Sequence, residues 1–133
     1  AGMALCGGCS LKDVSGLGKL PFWIIHGTAD RAVPVKQSKV VVDKLKRDGN
    51  DSRLIYDWWQ GANHGMPARV FYMKKTYQWL FSHTLNDPDR PVNRDIDISM
   101  GDVRNAYDGV NRNAPKPELI DGPSVIKNEG NEY

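Results

Sequence analysis

Apolar residues follow two different periods along this chain, and the switch between them sets out its elements. Phe22 to His26 is a continuous apolar, β-rich run bounded by Pro21 and Gly27. That pattern belongs to a strand buried on both faces, the kind found in parallel sheets covered by helices. From Lys36 to Arg47 the spacing becomes helical. Val41, Val42 and Leu45 share one side, and Lys39, Lys44, Lys46 and Arg47 share the other. Asp48-Gly49-Asn50 is a natural stop for that helix, because glycine and asparagine tolerate the left-handed carboxy cap. Alternation returns over Arg53 to Trp58, which predicts a second strand. Met3 to Cys6, ending at Gly7-Gly8, predicts a shorter one upstream, and Leu11 to Leu20 reads as an irregular connection with a helical turn near Asp13-Val14.

Pro67 suits the first turn of a helix, and Val70, Met73, Tyr77, Leu80 and Phe81 recur at intervals of three and four, predicting a helix over 68–82. Strand, helix, strand, helix in this order implies an α/β fold with parallel strands and right-handed crossovers. Beyond His83 the chain turns to Asn, Asp, Pro and Arg. The segment 86–97 has no apolar period and reads as a strap over the surface. Met100, Val103, Tyr107 and Val110 then repeat as one helical face, and Ser99 with Asp102 offers a capping-box start. Residues 111–133 hold three prolines and few large apolar groups, and are expected to be partly disordered. The organisation predicted is a body over 1–85 and an acidic, partly irregular extension over 86–133 with one short helix near 100–110.

Charge agrees with that division. Residues 1–83 carry 12 basic and 6 acidic side chains and residues 84–133 carry 6 and 10, within an overall net charge of +2. No basic run interleaved with aromatics occurs, so nucleic acid is not an expected partner. No run of 18 apolar residues encodes a membrane span. Cys6 and Cys9 form a C-x-x-C, yet no helical pattern begins after Cys9, so two small buried residues are expected rather than a redox centre. Zinc would need further ligands that the three histidines do not supply in any paired spacing, and no metal or cofactor is expected.

The chemistry-bearing residues lie just after the strands. Asp30 ends the small-residue turn Gly27-Thr28-Ala29-Asp30, and His64 sits in the glycine-rich turn Gln60-Gly61-Ala62-Asn63-His64-Gly65-Met66. In open α/β sheets, ligands and chemistry gather outside the carboxyl ends of the strands. Two consecutive parallel strands would bring both residues to one rim. On the residues alone, each also fits a plainer role: the aspartate as a turn former, the histidine as an exposed loop residue.

The motifs His26-Gly27-Thr28-x-Asp30 with Val33-Pro34, Gly61-x-x-His64 and Tyr77-x-Trp79-Leu80 resemble the carboxy-terminal half of an α/β-hydrolase. The resemblance points most toward esterases related to polyhydroxybutyrate depolymerases and feruloyl esterases, with prolyl-oligopeptidase-like hydrolases as near neighbours. It implies a partial α/β-hydrolase fold and a serine-type carboxylic-ester hydrolase, with Asp30 as the acid and His64 as the base of a Ser-Asp-His triad. It implies an ester substrate and a packing role for His26 beneath the acid loop. From their place beside the His64 turn, Trp59 and Met66 are expected to line an acyl or aromatic pocket. The triad logic needs an imidazole to take the nucleophile's proton and a carboxylate to fix the imidazole's tautomer.

The G-x-S-x-G elbow that would carry the serine is missing from this sequence, and Ser10, Ser15, Ser38 and Ser82 stand in other contexts. A whole hydrolase sheet needs about twice this length. The chain is therefore expected to be a fragment, inactive alone, whose open sheet edge meets a missing amino-terminal half or a second copy. With its true amino terminus read as missing, its compartment is left open, secretion and the periplasm included. The rival reading is a non-catalytic α/β binding or assembly module.

Overall fold

The computed structural model describes residues 1–10 and 12–108, the last two of these without their side chains. Three parallel strands form one sheet in the order β1 (Gly2–Leu5), β2 (Phe22–Gly27), β3 (Leu54–Trp59). Gly2 lies opposite Phe22, and β2 pairs with β3 from Phe22↔Leu54 to Gly27↔Trp59. Trp23 to Gly27 are all buried, as the continuous apolar run requires of a central strand. Among the described residues no fourth strand lies beside β1, whose four residues are half-buried.

Because successive strand residues point to opposite faces, the sheet divides its side chains between two cores. On one face Ile24 and Leu54 meet Val14 and the stripe Val41, Val42, Leu45 of helix α1 (Lys36–Arg47). That helix ends as the sequence predicts. Gly49 adopts φ +68, its N–H donates to the Lys46 carbonyl at 3.1 Å, and Asn50 N–H donates to the Leu45 carbonyl at 2.8 Å. This is the paired bonding of a Schellman cap. On the other face Trp23 and Ile25 meet Val70, Met73, Trp79 and Val103. The Trp23 and Trp79 rings pack edge to face with centroids 5.2 Å apart, a geometry that aromatic quadrupoles favour.

The helix expected over 68–82 is broken in two. A 3-10 helix covers Pro67–Tyr72, Met73 is extended at φ −108 and ψ 128, and α2 covers Lys74–Phe81. The cause is polar. Thr76 is fully buried, its hydroxyl donates to the Val70 carbonyl, and Met73 N–H donates to the same oxygen at 3.1 Å. A threonine hydroxyl thus serves the carbonyl that an unbroken helix would have used. The break turns Val70, Met73, Thr76 and Trp79 inward and leaves Phe81 on the surface at 69% exposure. The upstream connection also differs in detail, with its turn a 3-10 helix over Ser15–Lys19.

The strap is sewn to the body by bonds between side chains and main-chain groups. Arg53 donates to the carbonyls of Asp89 (3.0 Å) and Arg90 (3.1 Å), and Arg94 donates to those of Ser52 (2.9 Å) and Leu54 (3.1 Å). Asn93 N–H donates to His83 Nε2 at 2.9 Å, and its carbonyl accepts from the Trp79 indole N–H at 2.7 Å. Helix α3 (Met100–Asp108) follows. Ser99 and Asp102 cap it reciprocally, Asp102 N–H to Ser99 Oγ at 3.0 Å and Ser99 N–H to Asp102 Oδ2 at 2.9 Å, each satisfying an otherwise orphaned donor. Val103 on its inner side is fully buried. Val110 and the expected disorder of 111–133 fall outside the described residues. No helix among the described residues is long and apolar enough to cross a membrane.

Candidate active site

Adjacent parallel strands β2 and β3 end at one rim, and the two loops leaving them are fastened to each other. Thr28 N–H donates to the Trp59 carbonyl at 3.0 Å, Ala29 N–H to the Ala62 carbonyl at 3.0 Å, and Gly61 N–H to Thr28 Oγ1 at 2.8 Å. The loops approach so closely at Gly27 that a Cβ there would stand 2.2 Å from the Ala62 carbonyl oxygen. Asn63 Oδ1 then accepts from Gly65 N–H (3.1 Å) and Met66 N–H (3.2 Å), turning the chain through His64 into the 3-10 helix.

This clasp sets His64 Nδ1 at 2.7 Å from Asp30 Oδ2. The Asp30 side chain is wholly buried, whereas that of His64 is 51% exposed. A carboxylate facing Nδ1 requires the proton on that nitrogen, which leaves the Nε2 lone pair as the basic position of the ring. Asp30 Oδ1 accepts from Ala32 N–H (2.9 Å) and Val33 N–H (2.8 Å). Burial raises the affinity of Asp30 for a proton, but the hydrogen bonds from Val33, His64, Cys6 and Ala32 together outweigh it and hold the carboxyl well below its usual range. Asp30 is therefore an anion at neutral pH.

A depressed carboxyl has a signature in stability. Below the ordinary carboxylate range, about pH 4, the unfolded chain binds a proton at Asp30 that the folded chain refuses. Its contribution is complete above that range and drains away as the pH falls toward the depressed folded value. Urea unfolding at several acidic pH values is expected to give stability falling steeply with acid in the native chain and more gently in Asp30→Asn. Equal slopes would contradict the assignment.

His26, fully buried, touches the same carboxylate with Nε2 at 3.2 Å, and it bonds Ser38 Oγ through Nδ1 at 2.7 Å. Cys6, on the loop leaving β1, adds its thiol as a hydrogen-bond partner of Asp30. Burial pushes that thiol up to about 11, the Gly27 backbone acts in the opposite direction, and Asp30 adds to the rise. Cys6 is thus held as the thiol, the less nucleophilic form, at neutral pH. No disulfide joins it to Cys9. Cys6, His26 and Asp30 place ligand-type atoms within 4.8 Å of one another. Both His26 nitrogens and both Asp30 oxygens in that cluster already have protein partners.

More than half of the chain, residues 11–87, matches the model of the prolyl oligopeptidase family. The chain belongs to that family. Among solved structures, this prolyl oligopeptidase family chain is similar to a thermostable esterase, with a TM-score of 0.53 and 26% identity over 62% of this chain and 24% of the other. It therefore spans about a quarter of that esterase's length. No curated protein matches it. The α/β-hydrolase resemblance read from the motifs is upheld, as is the partial fold of parallel strands with covering helices. The matching family model is that of the prolyl-oligopeptidase neighbours, so the chain is a member of a serine-hydrolase family.

The remaining site residues have definite places. Trp59 ends β3 and packs half-buried against the Trp23 core, while Trp58 packs against the opposite core. Met66 is half-buried at the start of the 3-10 helix that follows His64. Thr28, Asn63 and Ser38 were not legible as site residues. Only Ser38 left a signal, as a polar residue at the head of the apolar stripe Val41, Val42, Leu45.

Proposed function

We propose that this chain supplies the acid and the base of a serine-type carboxylic-ester hydrolase, with Asp30 orienting His64 and His64 Nε2 taking the nucleophile's proton. The observation that carries the reading is the 2.7 Å contact between a buried carboxylate and a half-exposed imidazole. A base must reach substrate and solvent, whereas the group that fixes its tautomer is best held dry. The serine and the oxyanion donors lie on sequence outside this chain, since the G-x-S-x-G elbow is absent from it. The reaction is acyl transfer to water through a covalent acyl-enzyme. Trp59 and Met66, flanking the His64 turn, border the acyl pocket.

In this reading residues 1–85 are the carboxy-terminal part of the hydrolase domain and 86–133 an extension. The open edge of β1 pairs with the preceding part of the sheet, or with a second copy when the chain stands alone. The esterase likeness supports an ester substrate, and the family description supports a peptide bond as the competing one.

The test uses a serine-directed phosphonate probe. The intact parent protein is expected to be labelled and to cleave p-nitrophenyl esters faster than the matching anilides, His64→Ala in the parent to lose both activities, and this chain alone to remain unlabelled. Labelling of the 133-residue chain itself would refute the proposal. Faster turnover of anilides would replace ester by peptide chemistry.

A further inference from the structure

The base has little packing to lean on. From Gln60 to Met66 only Ala62 is buried, and Gly61 and Gly65 stand on either side of the histidine. Glycine widens the choices open to the backbone, so such a loop keeps one shape only where hydrogen bonds impose it. Upstream of His64 those bonds are main-chain and short: Ala62 N–H donates to the Trp59 carbonyl at 3.1 Å, and the Ala62 carbonyl accepts from Ala29 N–H at 3.0 Å. Downstream the main chain offers less. His64 is the second residue of the four-residue turn 63–66, whose closing bond, Met66 N–H to the Asn63 carbonyl, is stretched to 3.4 Å. The Asn63 side chain makes up the difference, its Oδ1 accepting from Gly65 N–H at 3.1 Å and Met66 N–H at 3.2 Å. Both partners are donors, so the atom between them is the amide oxygen and not the nitrogen.

We infer that Asn63 is a positioning residue for the base: by closing the turn over His64 with its side-chain oxygen, it fixes the direction in which the imidazole leaves the main chain. The inference rests on the reading of Asp30 and His64 as acid and base. Asparagine is favoured at the first position of such turns because its side chain can bond the main chain two residues on. The imidazole, half exposed, meets Asp30 at 2.7 Å, and a hydrogen bond weakens steeply once it is misaligned. A turn free to open would swing Nδ1 away from the carboxylate and Nε2 away from the nucleophile. Displacement by about 1 Å can cost about 100-fold in rate. Asn63 is itself exposed, and both of its side-chain bonds stay within the turn. Its loss is therefore expected to show in the geometry of the base and not in the stability of the fold.

In the intact parent protein, Asn63→Ala is expected to lower kcat about 10- to 100-fold, with KM and the urea midpoint close to native. Asn63→Asp keeps an acceptor oxygen at the same reach and is expected to restore most of kcat. The comparison is made above the titration range of histidine, where the added charge no longer alters the protonation of the imidazole. Asn63→Gln, whose amide lies one methylene too far to close the turn, is expected to resemble Asn63→Ala and carries the test should that variant not fold. Proton NMR reads the geometry directly. The hydrogen-bonded His64 Nδ1–H resonance is expected to broaden through faster exchange with water in Asn63→Ala and Asn63→Gln, and to stay near native in Asn63→Asp. Native kcat in a folded Asn63→Ala or Asn63→Gln protein, an equal loss in Asn63→Asp, or a raised KM at unchanged kcat would each overturn the inference with the pair intact. A urea midpoint that falls in step with kcat would make Asn63 a plain stabiliser of the fold and overturn it too. Absence of any hydrogen-bonded His64 Nδ1–H in the native protein would overturn the pair itself, and this role with it.

Discussion

Asp30→Asn in the intact hydrolase is expected to lower kcat about ten-thousand-fold with little change in KM, the loss seen when the acid of such a triad becomes an amide. The amide has the volume of the acid and one oxygen in place of two. That oxygen can keep the bonds from Ala32 and Val33 N–H at 2.9 and 2.8 Å. The NH2 group then faces His64 Nδ1, from which the native oxygen accepts at 2.7 Å, with His26 Nε2 standing 3.2 Å from that native oxygen. His64 must turn its lone pair toward the amide and carry its proton on Nε2, the position that should receive one. The variant is expected to fold, as judged by near-ultraviolet circular dichroism, and to bind substrate. A loss of less than about tenfold would show that the carboxylate does not govern the base.

Gly27→Ala is expected to destabilise the chain by about 3 kcal/mol, the upper end for overpacking, because what opposes the new methyl is backbone on a fastened loop. Its Cβ would stand 2.2 Å from the Ala62 oxygen and 3.0 Å from that of Asn63. Relief requires the two rim loops to part. Parting breaks the bond from Ala29 N–H to Ala62 and moves His64 from Asp30. Gly65→Ala, one residue past the histidine, is the control: its nearest neighbour would be Asn63 Oδ1 at 3.7 Å, and a change within about 0.5 kcal/mol is expected. Urea unfolding measures both, and equal effects from the two substitutions would remove the steric argument.

The central strand, the first helix with its cap and the strand leading to His64 were all legible in the sequence, because each obeys one period and ends in punctuation of known chemistry. Strand order placed Asp30 and His64 at one rim, and the resemblance supplied the expectation that they pair. Less accessible was whatever depends on a single polar group finding a partner far along the chain. Thr76 looks like an ordinary helical residue until its hydroxyl is seen serving the Val70 carbonyl, and that bond divides the expected helix. Thr28 looks like turn filler, yet its hydroxyl accepts from Gly61, 33 residues away. Val92, Ile96 and Ile98 pack against the Trp23 core without any regular spacing, so the strap's apolar contribution left no periodic trace. His26 read as part of an apolar run, and its two bonded nitrogens became evident only with Val33 and Ser38 around it.

The sealing of the Trp23 face by Val103 bears on how the chain is made. Trp23, Ile25, Val70 and Trp79 belong to a cluster that also takes in Val103, the fully buried residue of α3. Ribosomes add about 5–20 residues each second, so the step from Trp79 to Val103 takes about one to five seconds of translation at that pace. For that interval two indoles and several aliphatic groups are synthesised without their final cover. A chaperone that recognises exposed aromatic surface would find its target there, and a stop codon placed before Ser99 would make the exposure permanent.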